Sequence, residues 1–303
     1  MLEVIHNPDL AAEITLQPLE AFEVDAAIIF SDILPPLAGM GLDLEYVAGQ
    51  GPRLSSPLDT MRMIDRLATP PAIETMAGTL AAIRLVKQAL EPRQLPLIGF
   101  AGAPFTLAAY AIEGGSSKHF AKTKRLMYGE PAAWDRLMTK LVTVVADLLS
   151  EQVAAGADCV QVFDSWAGAL GRSDYERFAQ PYSRTLFQRL QALNVPSIHF
   201  STGTGAYLDA VKEAGGDVIA VDWRIPLDVA WAKAQQPVMG NLDPTALFAP
   251  WRELRHQVDN VLRHAGGRRG HIFNLGHGIL PETPVDNVRR VVEYVHEQTT
   301  VTP

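Results

Sequence analysis

Seven short stretches of this 303-residue chain are apolar without the alternation that marks a half-exposed strand. They are "AAIIF" (26–30), "PLIGF" (96–100), "CVQVF" (159–163), "PSIHF" (196–200), "VIAVD" (218–222), "PVMGN" (237–241) and "HIFNL" (271–275). Continuous apolar runs of this length suit strands covered on both faces, as in a parallel sheet. Helical patterns lie between them. The clearest is "WDRLMTKLVTVVADLLSEQV" (134–153), where Leu137, Leu141, Val144, Leu148 and Val153 recur on one face. Gly156 then offers a C-terminal cap.

Strand, helix and strand repeated along one chain predict an α/β fold of the (β/α)8 TIM-barrel type. Residues 1–303 read as one such domain, without repeats, linkers or low-complexity segments. Seven strands fall one short of a closed barrel. The helix "PVDNVRRVVEYVHEQ" completes the last unit, which places the shortfall at the N-terminus. There, "NPDLAAEITLQPLEAF" predicts a helix with no strand before it. The expectation is therefore a barrel whose first strand is missing from this chain, or else a different fold.

Composition narrows the possible partners. Apolar residues make up 48% of the chain and charged ones 20%, enough for a sizeable core. A net charge of −8 argues against a nucleic-acid surface. It also repels anionic ligands, so a bound polyanion must be held by local cations or backbone N–H groups. Cys159, the only cysteine, rules out an intramolecular disulfide and a thiolate metal cluster. No secretory pattern opens the chain and no apolar run reaches a bilayer's width, so a soluble cytoplasmic protein is expected.

Chemistry in such barrels gathers at the C-terminal ends of the strands. Here those ends carry Asp32 in "FSDILPP", Ser165 in "FDSWAG" and His277 in "NLGHGILP", while Tyr110 stands further along, in "LAAYAIEGG". Each also has a plain structural reading. Asp32 could cap a helix, Tyr110 could pack by its ring, and His277 could face solvent, a core or a ligand. Ser165 lacks the "GxSxG" surroundings of a triad nucleophile. Phe163 suits a pocket wall or a core, and His199, within its strand, suits packing. Asp243 precedes Pro244 as an N-cap precedes N1. Asp222 is ambiguous, and Asp164 is assigned no catalytic role. "EGGSSK" lacks P-loop spacing and reads as a glycine hinge over the cleft.

Five stretches in order, "TLQPLEAFEVDAAIIFSDIL", "YAIEGGSSK", "FDSWAG", "GNLDP" and "NLGHGI", resemble the uroporphyrinogen decarboxylase family over nearly the whole chain. The resemblance implies a homodimer of (β/α)8 barrels. It implies an enzyme that removes four acetate carboxyls from uroporphyrinogen III to give coproporphyrinogen III, with neither cofactor nor metal. It implies that Asp32 is the central carboxylate and that Tyr110, Ser165, His277 and Phe163 meet the substrate. The family also places a strand and an Arg-Gln-Ala-Gly-Arg loop before the first matching segment, and Met1 falls just downstream of that region. A start assigned too late or a genuine truncation would explain the departure. On this reading residues 1–303 alone are expected to be nearly inactive and poorly soluble. The alternatives are a non-catalytic tetrapyrrole-binding relative, or a corrinoid or thiol methyltransferase of the same superfamily. The position of Cys159 before a strand disfavours the methyltransferase.

Overall fold

Side chains that are apolar on both faces of a strand need cover on both, and each predicted run finds it in a parallel sheet. The computed structural model describes residues 1–47, 49 and 51–299. The strands are β1 (Ala27–Ile28), β2 (Leu44–Val47), β3 (Gly51–Leu54), β4 (Leu97–Gly102), β5 (Cys159–Asp164), β6 (Ser197–Ser201), β7 (Val218–Val221), β8 (Val238–Met239) and β9 (His271–Ile272). Seven of them form one sheet in the order β1-β4-β5-β6-β7-β8-β9, every pair parallel. This is an α/β sheet of the TIM-barrel type with seven parallel strands among the described residues.

Three strands are shorter than their apolar runs predict, because the chain leaves the ladder early to build the mouth. Beyond β1, Ile29 still donates to the Ile98 carbonyl at 3.0 Å. Beyond β8 and β9 the chains stay in touch through Gly240 N–H to the Ile272 carbonyl at 2.9 Å and a parallel bridge between Leu242 and Leu275. The antiparallel hairpin of β2 and β3 was not among the predicted strands.

Alternation along the strands sorts their side chains between two cores. Ile198, Phe200, Val218, Ala220 and Met239 cluster on one face of the sheet, with Phe163 against them. Val160, Val162, Ile219 and Val221 join the larger core shared with the helices. Phe163 and Asp164 thus lie on opposite faces.

The long helix Pro131–Ala155 begins with proline at its first turn and stops at Gly156, whose φ of 120° ends it as expected. Its Gln152 side chain donates to the Phe100 carbonyl at 2.9 Å, tying the helix to β4. The helix Pro8–Ala21 is capped by Asn7, whose side chain accepts from the Asp9 and Leu10 N–H groups. Among the described residues, β1 and β9 pair on one side only. Near them, residues 19–25 and the last helix, Val285–Thr299, bound a cavity of about 830 Å³. His296 Nε2 lies 3.0 Å from Asp25 Oδ2 there.

Candidate active site

Asp32 follows β1 in a tight turn, where its Oδ1 accepts from the Leu34 N–H at 2.9 Å. The helix Pro35–Gly39 starts without a side-chain cap, so Asp32 shapes the turn before the helix. Burial raises the proton affinity of its carboxyl, while interactions with Leu34, Tyr46 and Ile33 lower it. A carboxylate has about four lone-pair sites, so capacity remains for a ligand.

Two tyrosines share this pocket. Burial, followed by the Asp32 charge, pushes the Tyr110 hydroxyl up to about 12. The same two causes, in the same order, raise Tyr46, whose buried hydroxyl makes no hydrogen bond of good geometry. Both phenols therefore stay protonated beside the carboxylate. Tyr46 comes from the hairpin and was not among the predicted site residues.

The Tyr110 ring is set by its neighbours. It stacks on Trp166 with centroids 3.6 Å apart and planes at 25°. Trp166 in turn is fixed by the loop after β5. Its N–H donates to Thr106 Oγ1 at 3.2 Å, and that hydroxyl donates to Asp164 Oδ1 at 2.8 Å. Thr106 lies one turn before Tyr110 in the helix Pro104–Glu113. Asp164, fully buried, is thus a structural anchor for the turn that presents Ser165 and Trp166. Burial lifts its carboxyl to about 7, against the lowering effect of the Thr106 hydrogen bond. Two further hydroxyls pin this loop. Thr202 donates to the Ser165 carbonyl at 2.6 Å, and Tyr207 donates to that of Ala167 at 2.8 Å.

His277 approaches from the β9 side and is exposed. The Gly278 N–H donates to its Nδ1 at 2.7 Å, which makes Nδ1 an acceptor. In the neutral ring the proton then sits on Nε2, a donor available to a ligand. Burial, and next the charge of Arg224, lower its proton affinity, with Asp222 opposing. Gly276 is required here, since a Cβ would stand 2.6 Å from the Trp223 nitrogen. At Gly278 a Cβ would meet nothing within 4 Å, so packing within the chain does not require glycine there.

Phe163 connects the two sides through ring edges. It lies 5.4 Å from Phe100 and 5.5 Å from Phe200, and Phe200 lies 6.0 Å from His277. The structure therefore brings Asp32 and Tyr110 together around Tyr46, and lines Phe163, Phe200 and His277 along the sheet's inner face. Ser165 adjoins the first group through Trp166.

The remaining aspartates have local work. Asp243 accepts from the Thr245 N–H and hydroxyl, as an N-cap should. Asp222 accepts from the Gly203 N–H and pairs with Arg224. His199 is buried in β6 against the Phe187 ring, where burial lowers it to about 4. Cys159 opens β5, at the opposite end from Ser165, and burial followed by the Asp217 charge raises its thiol to about 11. Among the described residues, no three His, Cys, Asp or Glu side chains are grouped to hold a metal.

The model of the uroporphyrinogen decarboxylase (URO-D) family matches residues 1–298. The chain belongs to the uroporphyrinogen decarboxylase family. Uroporphyrinogen decarboxylase of Solibacter usitatus is 52% identical over 299 residues, spanning 98% of this chain and 86% of that protein. That of Thermus thermophilus is 50% identical over 298 residues, spanning 97% and 86%. A methyltransferase from Methanosarcina mazei has the same fold, with a TM-score of 0.82 over 98% of this chain and 88% of its own. At 18% identity that likeness concerns the fold alone. No helix among the described residues is long and apolar enough to cross a membrane.

Proposed function

We propose that this chain decarboxylates the four acetate side chains of uroporphyrinogen III, giving coproporphyrinogen III in tetrapyrrole biosynthesis. The observation that carries the reading is Asp32, a half-buried carboxylate with spare acceptor capacity between two protonated tyrosines. Loss of CO2 from an acetate on a pyrrole needs an electron sink. Protonation of the ring carbon supplies it. The C–C bond to the carboxylate then breaks, its electron pair enters the ring, and CO2 leaves. Protonation of the exocyclic carbon and loss of the ring proton complete a methyl group.

Asp32 accepts from the pyrrole N–H groups and opposes the developing cation as a fixed counter-charge. Arrival of that cation favours the ionised carboxylate against the effect of burial. Tyr110, fixed beside Asp32 by its stack on Trp166, contacts the reacting acetate. Ser165 and His277 Nε2–H donate to other carboxylates, and Phe163 forms the apolar floor. The working unit is a homodimer, a reading supported by the exposed Phe248 and Val285. Asn287 ties the last helix to the segment bearing Phe248 by donating to the Leu247 and Ala249 carbonyls. A reducing cytoplasm suits the lone thiol.

The test is an anaerobic assay of uroporphyrinogen with the intact chain and its Asp32→Asn variant. Against the near-inactivity expected from the sequence, kinship at 52% identity over 98% of the chain leads to the opposite expectation: the chain should yield coproporphyrinogen, and the variant should lose roughly 10²–10³-fold in kcat. A folded chain that leaves uroporphyrinogen unchanged would overturn the reading. Sedimentation at micromolar concentration checks the dimer.

A further inference from the structure

A chain with a net charge of −8 must concentrate its cations wherever it receives a polyanion. One cleft among the described residues is built that way. A cleft of about 420 Å³ lies beside Ser165 and Trp166 and is lined by Lys118, His119, Lys124 and Arg224. No aspartate or glutamate lines it. The larger cavity near β1 makes the contrast, since Glu20, Glu23, Asp25 and Glu293 mix there with its cations.

The cleft's cations are available to different degrees. Lys118 and Lys124 make no ion pair among the described residues. Arg224 is shared, because it pairs with Asp222 and lies over the Trp223 ring at 4.2 Å. The loop bearing Lys118 is shaped by Ser117, whose hydroxyl accepts from the Phe120 N–H at 3.0 Å. Phe120 meets Trp166 edge-on, with ring centroids 5.0 Å apart, and Trp166 stacks on Tyr110. Loop and reaction centre are therefore joined through two aromatic contacts. The Ser165 side of the cleft is equally fixed, by the hydrogen bond from Thr202 to the Ser165 carbonyl.

We propose that this cleft is a docking subsite for peripheral carboxylates of the tetrapyrrole, with Lys118 and Lys124 as its specificity-determining cations. The proposal rests on the decarboxylase reading for the ligand's identity. One carboxylate arm enters the cleft while the pyrrole under attack sits over Asp32. Rim lysines of this kind act mainly on association and on its salt dependence. They also favour a macrocycle carrying eight carboxylates over a product carrying four.

The experiment compares the intact chain with Lys118→Gln, Lys124→Gln and the double variant. Arg189→Gln serves as a control, since Arg189 is exposed and does not line the cleft. Two readouts are taken across a range of ionic strength. One is turnover of uroporphyrinogen. The other is equilibrium binding of uroporphyrin, the oxidised and unreactive macrocycle, followed by quenching of tryptophan fluorescence. Each single variant should weaken binding and raise KM about threefold, as an exposed ion pair would. The double variant should lose roughly tenfold if the effects add. In the double variant kcat should stay within about twofold and the salt dependence should flatten, while Arg189→Gln changes neither.

A double variant with unaltered affinity, KM and salt dependence would overturn the subsite while leaving the decarboxylase reading intact. An intact chain that binds uroporphyrin through these lysines but releases no CO2 would support the subsite and sink the activity. Thermal melts confirm that the variants fold, which the exposure of Lys118 favours.

Discussion

The two walls of the mouth are built to different standards. On the β4 and β5 side, Tyr110, Trp166, Thr106 and Asp164 form one continuous set of stacking and hydrogen-bond contacts. β5 pairs along five positions with each neighbour. On the β9 side, His277 is exposed, follows a strand paired at two positions and one further bridge, and accepts a local hydrogen bond from Gly278. One wall is positioned before a ligand arrives; the other is left for the ligand to order. A site that opposes a transient charge needs the first kind of wall where the carboxylate sits. The second kind is adequate where a carboxylate arm is merely held.

The largest effect that can test this contrast belongs to Asp164. Its ordinary carboxyl value of 3.8 is raised to about 7 in the folded chain, chiefly by burial. Between those values the native state keeps a proton that the unfolded state releases. Stability therefore falls as pH rises from about 4 to about 7, by at most about 4 kcal/mol. Asp164→Asn should remove that slope while still accepting the Thr106 hydroxyl. Urea unfolding at pH 5 and pH 8 checks it. Equal slopes in both proteins would mean that the pre-positioned wall does not rest on a buried proton.

Thr106→Val comes next. It removes the donor to Asp164 and the acceptor of the Trp166 N–H. Leaving such buried groups unpartnered should cost about 2 kcal/mol of stability. Loosening the Trp166–Tyr110 stack should also lower kcat by roughly tenfold, through misplacement of the reacting groups. Thr106→Ser, which keeps the hydroxyl, should restore most of both. If Thr106→Val destabilises the chain yet leaves kcat unchanged, the network holds up the fold without positioning the site.

The open wall should behave otherwise. His277→Ala removes one exposed donor, so KM should rise roughly fivefold, about 1 kcal/mol, with an unchanged melting temperature. A change in kcat larger than that in KM would move His277 from holding the substrate to the reaction itself.

How much of this could be read in the sequence follows the same division. The strands were legible because burial on both faces removes polar residues from their runs, and their ends were legible because glycine, aspartate and histidine break those runs. Asp32, Ser165 and His277 stood at such ends, whereas Tyr110 lies inside the helix Pro104–Glu113 and was legible only through the family resemblance. Tyr46 was not legible, since its hairpin, Leu44–Val47 with Gly51–Leu54, presents no comparable apolar run. Thr106 was hidden inside "APFTLAAY", where a threonine in a helix start suggests nothing about a carboxylate 58 positions away. The cleft cations were hidden for the same reason, with Lys118 and Arg224 meeting only after folding.

Amide exchange offers the smallest but most direct reading of the contrast. Val162 and Phe163 in β5 are bonded within a ladder on both sides and should exchange only through large-scale opening. Ile272 in β9 pairs on one side among the described residues and its side chain is 42% exposed. Its amide and those leading to His277 should exchange far sooner, through local opening. Bound uroporphyrin should slow the β9 segment and leave β5 nearly unchanged, because a ligand can stabilise only what was free to open. Protection of both segments to the same degree, with or without the porphyrin, would show that the β9 wall is as firmly placed as the other and that its sparse contacts mislead.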